Sequence, residues 1–422
     1  MRIARTGVAA GLLLVGACGD PTAPALDGAP TVIEELPRAL SGTERAVIDA
    51  SNAFSMDLLR EVDTRDTAAN VFLSGLSASM ALGMTMNGAA GATWDAMRTT
   101  LRFDDLSEEE IDASYRDLIA LLLTLDPQVM IGIANATFAD DAFAVRQDFL
   151  DRLREFFDAE AGTLDFQDPS SVDVVNEWAA EKTHDRIEKI LESWPDGAVL
   201  ALLNALYFKG DWTEKFDRGR TAPRPFELPS GETVQVETMR SEEALLRVGR
   251  DPQTGATVGE LPYGGRAFVM DVVLPPAGTS LDAFLESADA DAWNRWMQVL
   301  PGDFSTGIVQ LPKIELEYER VLNDELIDMG MAVAFGGGDV PADFSRIGPG
   351  GLSISLVKQK SYVRVDEEGT EAAAVTVVVV GVISMPATPA LVVDRPYLFA
   401  IRERLSGTVL FLGVVRDPRG EG

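Results

Sequence analysis

The sequence predicts an α+β fold in which large β-sheets carry helices on their faces. Helical periodicity dominates the first half of the chain, whereas short strand-like runs divided by Gly and Pro dominate the second. No repeat of fixed period runs through it, which argues against solenoids and propellers. At 422 residues, 46% of them hydrophobic, the chain can bury a large core.

Residues 42–62 place apolar side chains at helical spacing, with Ser41 and Thr43 as candidate caps. Residues 70–74 form a short β-type run that leads into residues 76–87, a stretch rich in small residues and almost uncharged. Such a helix has to be buried on most sides. Further helical patterns cover residues 107–125, 147–157 and 172–193, the last ending at Trp194-Pro195, where proline stops propagation. Residues 198–208 read equally as helix or buried strand. Beyond Gly210, residues 233–239, 257–261, 267–274 and 307–311 read as strands, and helical residues 281–299 and 321–329 interrupt them.

A formal net charge of -31 repels phosphate backbones and anionic headgroups, so neither nucleic-acid binding nor polybasic membrane docking is expected. At the N-terminus, Arg2 and Arg5 precede an apolar run over residues 8–15 and then Gly16-Ala17-Cys18, the pattern of an export signal. The run is far shorter than the roughly 20 residues needed to span a bilayer. Cys18 is the only cysteine, which rules out disulfides within the chain. Its place after small residues resembles the lipobox of bacterial lipoproteins. That resemblance implies cleavage before Cys18 and a diacylglycerol on its sulfur; an ordinary secretory signal is the alternative. By the same likeness, Gly19 points to the outer membrane. Residues 20–37, rich in Pro and Ala, read as a tether. The organisation expected is a signal at 1–17, a lipidated tether at 18–40 and a globular domain at 41–418, exported and either anchored in the cell envelope or released to the extracellular space.

The equipment of ordinary enzymes is sparse. His184, the sole histidine, lies in a charged amphipathic pattern that suits an exposed or helix-packed imidazole better than a triad. One Cys and one His leave no zinc ligand set. The clusters Glu108-Glu109-Glu110 and Asp366-Glu367-Glu368 read as solvated surface, and no spacing matches a calcium loop. Gly336-Gly337-Gly338 is followed by Asp339, with no Lys-Ser or Lys-Thr to complete a phosphate loop. No metal, cofactor or catalytic activity is expected.

The informative stretch is residues 363–386. Alternate positions Thr370, Ala372, Ala374, Thr376, Val378, Val380 and Val382 are uncharged and mostly small, so one face suits a sheet interior. The segment Glu367, Glu368, Gly369, Thr370, Glu371, Ala372, Ala373, Ala374, continued by Val375 and Thr376, resembles the hinge of the reactive-centre loop in inhibitory serpins. Other serpin-like landmarks follow in the expected order over nearly the whole globular chain: NVFLS at 70–74 with Ser77, NALYFKGDW at 204–212, LPKI at 311–314, ADFS at 342–345 and DRPYLF at 394–399.

The resemblance implies about three β-sheets surrounded by eight or nine helices, with an exposed loop at about 367–390. It further implies inhibition of a serine protease as a suicide substrate: the protease acylates itself on the loop, whose hinge then inserts into the central sheet. The partner is that protease, bound covalently, and the inhibitor is expected to be a monomer. Family spacing from Glu367 places the scissile bond at Ile383-Ser384, whereas counting back from Pro396 points to Met385. A branched apolar Ile383 suits elastase-like or subtilisin-like targets. Ser74, Ser77, Asn204 and Gln359 are implied to form the polar cluster that gates insertion, although Gly75 and Gln359 replace the proline and histidine usual there. Val375 is larger than the usual hinge residue, and the run at 377–380 makes loop-sheet polymerisation a hazard. Two alternatives stay open: a non-inhibitory serpin acting as chaperone or carrier, and an adhesive surface lipoprotein.

Overall fold

The computed structural model describes residues 31–66, 70–103, 105–338, 340–370 and 388–419. The expectations at Cys18, at Glu371, Ala372, Ala373, Ala374, Val375 and Thr376, at 377–380 and at Ile383, Ser384 and Met385 lie outside these residues.

Helix α1 (Gly42–Arg65) begins at Ser41, whose hydroxyl accepts the Glu44 N–H at 3.0 Å while the Glu44 carboxylate accepts the Ser41 N–H at 2.7 Å. Thr43 caps nothing and only meets the Ser41 hydroxyl. Strand β1 (Val71–Leu73) leads into α2 (Gly75–Met86), buried along most of its length as its composition required. The helix α3 (Gly91–Thr100) follows, then α4 (Glu108–Thr124), started by a capping box between Ser107 and Glu110, and α5 (Gln147–Phe157) with the predicted bounds. Helix α6 (Ser171–Lys182) stops well before Pro195. Thr183 donates its hydroxyl to Ala179 O and accepts the Ile187 N–H, His184 and Asp185 take positive φ, and Asn176 accepts the N–H groups of Ile190 and Leu191. Side-chain bonds thus satisfy the backbone that further helix would have satisfied. His184 therefore sits in a turn rather than on a helix.

The predicted helix at 281–299 is two helices, α7 (Leu281–Leu285) and α8 (Ala290–Gln298), because Asp289 caps a new start at Ala290, its carboxylate accepting the Ala292 N–H. The one at 321–329 is α9 (Asn323–Leu326) followed by a wider turn that Gly330, at φ +115°, ends. Nine α-helices occur among the described residues.

Strands β2 (Val129–Asp140), β3 (Glu160–Leu164), β4 (Leu200–Asp211), β10 (Ile314–Val321), β11 (Lys358–Val365) and β12 (Gly369–Thr370) form a six-stranded sheet ordered β10-β11-β12-β4-β2-β3. Of the ambiguous residues 198–208, those from Leu200 onward are strand, paired with β2. A second network joins β1, β15 (Val409–Val415), β14 (Tyr397–Glu403), β8 (Phe268–Leu274), β7 (Thr257–Tyr263) and the long β6 (Thr233–Arg250). Strand β6 also pairs with β9 (Ser305–Pro312), across an irregularity between Ser241 and Ala244, and with β5 (Ala222–Glu227), while β13 (Ala390–Val392) lies parallel to β9. The three expected sheets are therefore present, two of them sharing β6. Between the sheets Phe72 stacks on Phe399 and Phe411, with centroids 5.6 and 5.0 Å away.

Two surface expectations change. Glu108 is bound by Arg346 at 2.6 Å and Arg152 at 3.2 Å, although its neighbour Glu109 is exposed. The tether does not run through residues 33–40: the Ile33 N–H donates to Gly265 O at 2.7 Å, and Leu36 and Leu40 pack against the core. No helix among the described residues is long and apolar enough to cross a membrane.

Candidate functional site: a loop hinge above an open groove

Strands β4 and β11 run in the same direction but do not pair with each other; β12 lies between them at one end, antiparallel to both. Thr370 faces Val365 on one side and Gly210 on the other, and Gly369 faces Asp211. Farther along, the first halves of β4 and β11 line a groove of about 380 Å³. Residues of α2, including Ala78 and Leu82, also line it, together with Ile187, Leu191 and Trp194 from the segment after α6. Between hinge and groove that same segment crosses the sheet, with the His184 ring 4.7 Å from Tyr207 on β4 and the Arg186 guanidinium 5.2 Å from Tyr362 on β11.

The hinge is held by a tight turn. The Asp366 N–H donates to Gly369 O at 2.9 Å, and the Glu368 N–H to the Asp366 carboxylate at 3.0 Å. Gly369 has φ +151°, and a Cβ there would lie 2.2 Å from Gly210 O, so only glycine fits this approach. Glu367 and Glu368 are 5% and 3% exposed, which corrects their reading as solvated surface. Glu367 binds Lys313 at 2.9 Å and the Thr221 hydroxyl at 2.7 Å; Glu368 binds Lys215 at 3.1 Å and Arg218 at 2.9 Å. Buried carboxylates are tolerated because each is paired. Trp212 adds a bond from Nε1 to Asp366 O at 2.9 Å and one from its backbone N–H to Glu368 O at 2.8 Å, and it stacks on Tyr263 at 4.4 Å. The Tyr263 hydroxyl meets that of Thr370 at 2.9 Å. Sequence reasoning left Trp212, Lys215, Thr221, Tyr263 and Lys313 without a role, although Trp212 and Lys313 stand inside two of its landmarks.

The expected gating cluster falls into two groups on the groove walls. The Gln359 side chain accepts the Ser74 N–H at 3.0 Å and donates to Ser74 O at 2.8 Å, and Ser74 Oγ accepts the Ser77 N–H at 3.0 Å and donates to Leu410 O at 2.6 Å. Glutamine, donor and acceptor at once, ties β11 to the start of α2 without a titrating group. Asn204 does not join them. Its amide donates to Asn135 Oδ1 at 2.7 Å, because β2 and β4 set these two asparagines directly opposite each other. Asn135 itself, unnoticed in the sequence, donates to Phe157 O.

Burial pushes the Glu367 carboxyl up, but Lys313 and Thr221 outweigh it and hold the group below its usual range. With its folded pKa below the unfolded value, ionised Glu367 stabilises the hinge at neutral pH. That contribution fades as pH falls below about 4.3 and through the folded value. Amide exchange at Glu368 and Gly369 is expected to quicken over this range, and Glu367→Gln should remove the acid-dependent step. An identical pH profile in the variant would assign the step elsewhere.

Among the described residues Asp140, Asp141 and Asp165 bring carboxylates within 4.8 Å of one another, yet Asp140 already accepts the Ala142 and Phe166 N–H groups.

A family model described as Serpin (serine protease inhibitor) matches residues 49–418. Iripin-8 of Ixodes ricinus is 32% identical over 380 residues, covering 87% of this chain and 92% of that protein. The leukocyte elastase inhibitor of Xenopus tropicalis is 32% identical over 390 residues, covering 87% and 98%. Among solved structures, the native thermophilic serpin tengpin superimposes with a TM-score of 0.78 at 27% identity, over 92% of this chain and 97% of its own. Thyroxine-binding globulin in complex with thyroxine does so with 0.77 at 25% identity, over 88% and 99%. The chain belongs to the serpin family, a family of protease inhibitors rather than catalytic enzymes.

Proposed function

We propose that this serpin inhibits a serine protease as a suicide substrate, with residues 371–387 as bait and the groove between β4 and β11 as the place their hinge enters after cleavage. The observation that carries this reading is Thr370, already paired between two strands that part below it. The uncharged alternate positions after Thr370 suit burial in that groove, and new backbone pairing with apolar burial supplies the driving force. The scissile bond is Ile383-Ser384, and the target is elastase-like or subtilisin-like. Likeness to a leukocyte elastase inhibitor supports that choice. Cleavage before Cys18 and lipidation of its sulfur hold the inhibitor at the cell envelope after export.

Incubation of the mature protein with elastase-like, subtilisin-like and trypsin-like enzymes is expected to yield a complex stable on a denaturing gel with one of the first two, and a released fragment beginning at Ser384. The loop-cleaved protein should melt well above the intact one. Likeness to thyroxine-binding globulin favours a second reading, a carrier without inhibition. Simple cleavage with neither a complex nor added heat stability would decide for the carrier.

A further inference from the structure

We infer that Arg266 and Arg404, beside Phe304, form a binding site for a phosphate-type oxyanion, apart from the hinge and groove. Three guanidiniums lie over the Phe304 ring: Arg247 at 5.1 Å, Arg404 at 5.8 Å and Arg266 at 6.0 Å from its centroid. A ring has two faces, so at least two of the three share one. Cations gather on aromatic faces, but at this spacing they also repel one another.

The neighbouring acids relieve that repulsion only in part. Arg247 is fully engaged, with two bonds to Glu260 and a third to Pro301 O. Glu260 and Asp271 are shared with the buried Arg402, and the Glu403 oxygens accept the N–H groups of Leu405 and Ser406. Glu214 acts on Arg266 through its charge, with no hydrogen bond or ion pair to it among the described residues. Arg404 reaches only neutral carbonyls: Nε donates to Arg266 O at 2.9 Å and one terminal nitrogen to Ile33 O at 3.0 Å. Its other terminal nitrogen has no acceptor among the described residues. The Arg266 guanidinium has none at all among them, and its Nε is buried. Burial and the adjacent cations Arg247 and Arg402 push the Arg404 pKa down, although Glu260 and Glu403 oppose them. Idle guanidinium donors in a chain of net charge -31 call for a compact anion with several oxygens, which the planar guanidinium fork matches.

Two sources offer that chemistry, free phosphate and a phospholipid headgroup. Ile33, which shares Arg404, is fifteen residues from Cys18, a span of on the order of 50 Å at full extension. If Cys18 carries lipid, headgroups fall within reach of the site.

Calorimetric titration of the full chain carrying Cys18→Ala with inorganic phosphate, in low-salt buffer at neutral pH, tests the inference. Binding is expected, weakened about tenfold or more in Arg266→Gln and in Arg404→Gln, and to a lesser degree in Arg266→Lys, which keeps the charge but loses the fork. Arg38→Gln, at an exposed arginine that binds Glu44 and lies outside the group over Phe304, should leave it unchanged. Flotation with phosphatidylethanolamine-phosphatidylcholine vesicles then separates the sources. Arg266-dependent flotation assigns the site to headgroups, and phosphate binding without flotation assigns it to soluble phosphate. No binding by the Cys18→Ala chain with both arginines in place overturns the site. So does unchanged affinity in Arg266→Gln or Arg266→Lys with a wild-type melting curve. The outcome is independent of whether the chain inhibits a protease.

Discussion

Arginine at position 370 is expected to convert the protein from inhibitor to substrate. Thr370 is 3% exposed, its hydroxyl meets Tyr263, and the cavity beside it holds only about 20 Å³ among Phe72, Leu206, Tyr207, Phe208, Tyr362 and Phe411. A guanidinium buried there without a carboxylate costs several kcal/mol, so in the intact variant residue 370 is expected to leave the gap, and insertion then has to bury the charge anew. Hinge insertion competes with completion of hydrolysis by the protease, and each 1.4 kcal/mol or so added to the insertion barrier slows it about tenfold. A penalty of only about 3 kcal/mol therefore slows insertion roughly a hundredfold, and nearly all attacked molecules leave as cleaved chain. Titration of the protease against Thr370→Arg should show many inhibitor molecules consumed per enzyme and no stable complex on a gel. Thr370→Ser, which keeps the hydroxyl and adds no bulk, should behave as wild type. A stable complex from the arginine variant at unchanged stoichiometry would remove insertion from the mechanism.

The second large effect is expected at Trp212. Truncation to alanine deletes a side chain only 3% exposed, the stack on Tyr263 and the bond to Asp366 O, a combined loss of about 3–5 kcal/mol for a buried aromatic. Tyr263 holds Thr370, so the damage passes directly to the hinge. Trp212→Ala should melt markedly below wild type and exchange the Gly369 and Thr370 amides faster. Trp212→Phe, which keeps the stack and loses only the Nε1 bond, should cost about 1 kcal/mol. Equal melting of the two variants would show that the stack is not what steadies the hinge.

Much of this site was legible beforehand because the signals are local. Gly369 and the small, uncharged residue at Thr370 announce a strand that fits closely between neighbours, and the structure pairs Thr370 on two sides and Gly369 on one. The bounds of α5 followed from periodicity alone, and Ser41, one of the two hydroxyls read as candidate caps, is the one that caps α1. Helix length was less readable where side chains compete for the backbone, as Thr183 and Asn176 do after α6.

The acidic run at 366–368 marks the boundary between the two kinds of information. In sequence it is three adjacent carboxylates, which water solvates readily. In the fold it is buried, because Lys215, Arg218, Thr221 and Lys313 converge on it from segments about fifty to one hundred fifty residues away. Asn204 divides in the same way: its place in a landmark was visible, but its partner Asn135 was settled by the register of β2 against β4. Alternation and small residues by themselves determined that the stretch from Thr370 onward suits a sheet interior. Charge pairing and strand register, which depend on groups distant in sequence, decided what holds residues 366–370 in place between β4 and β11.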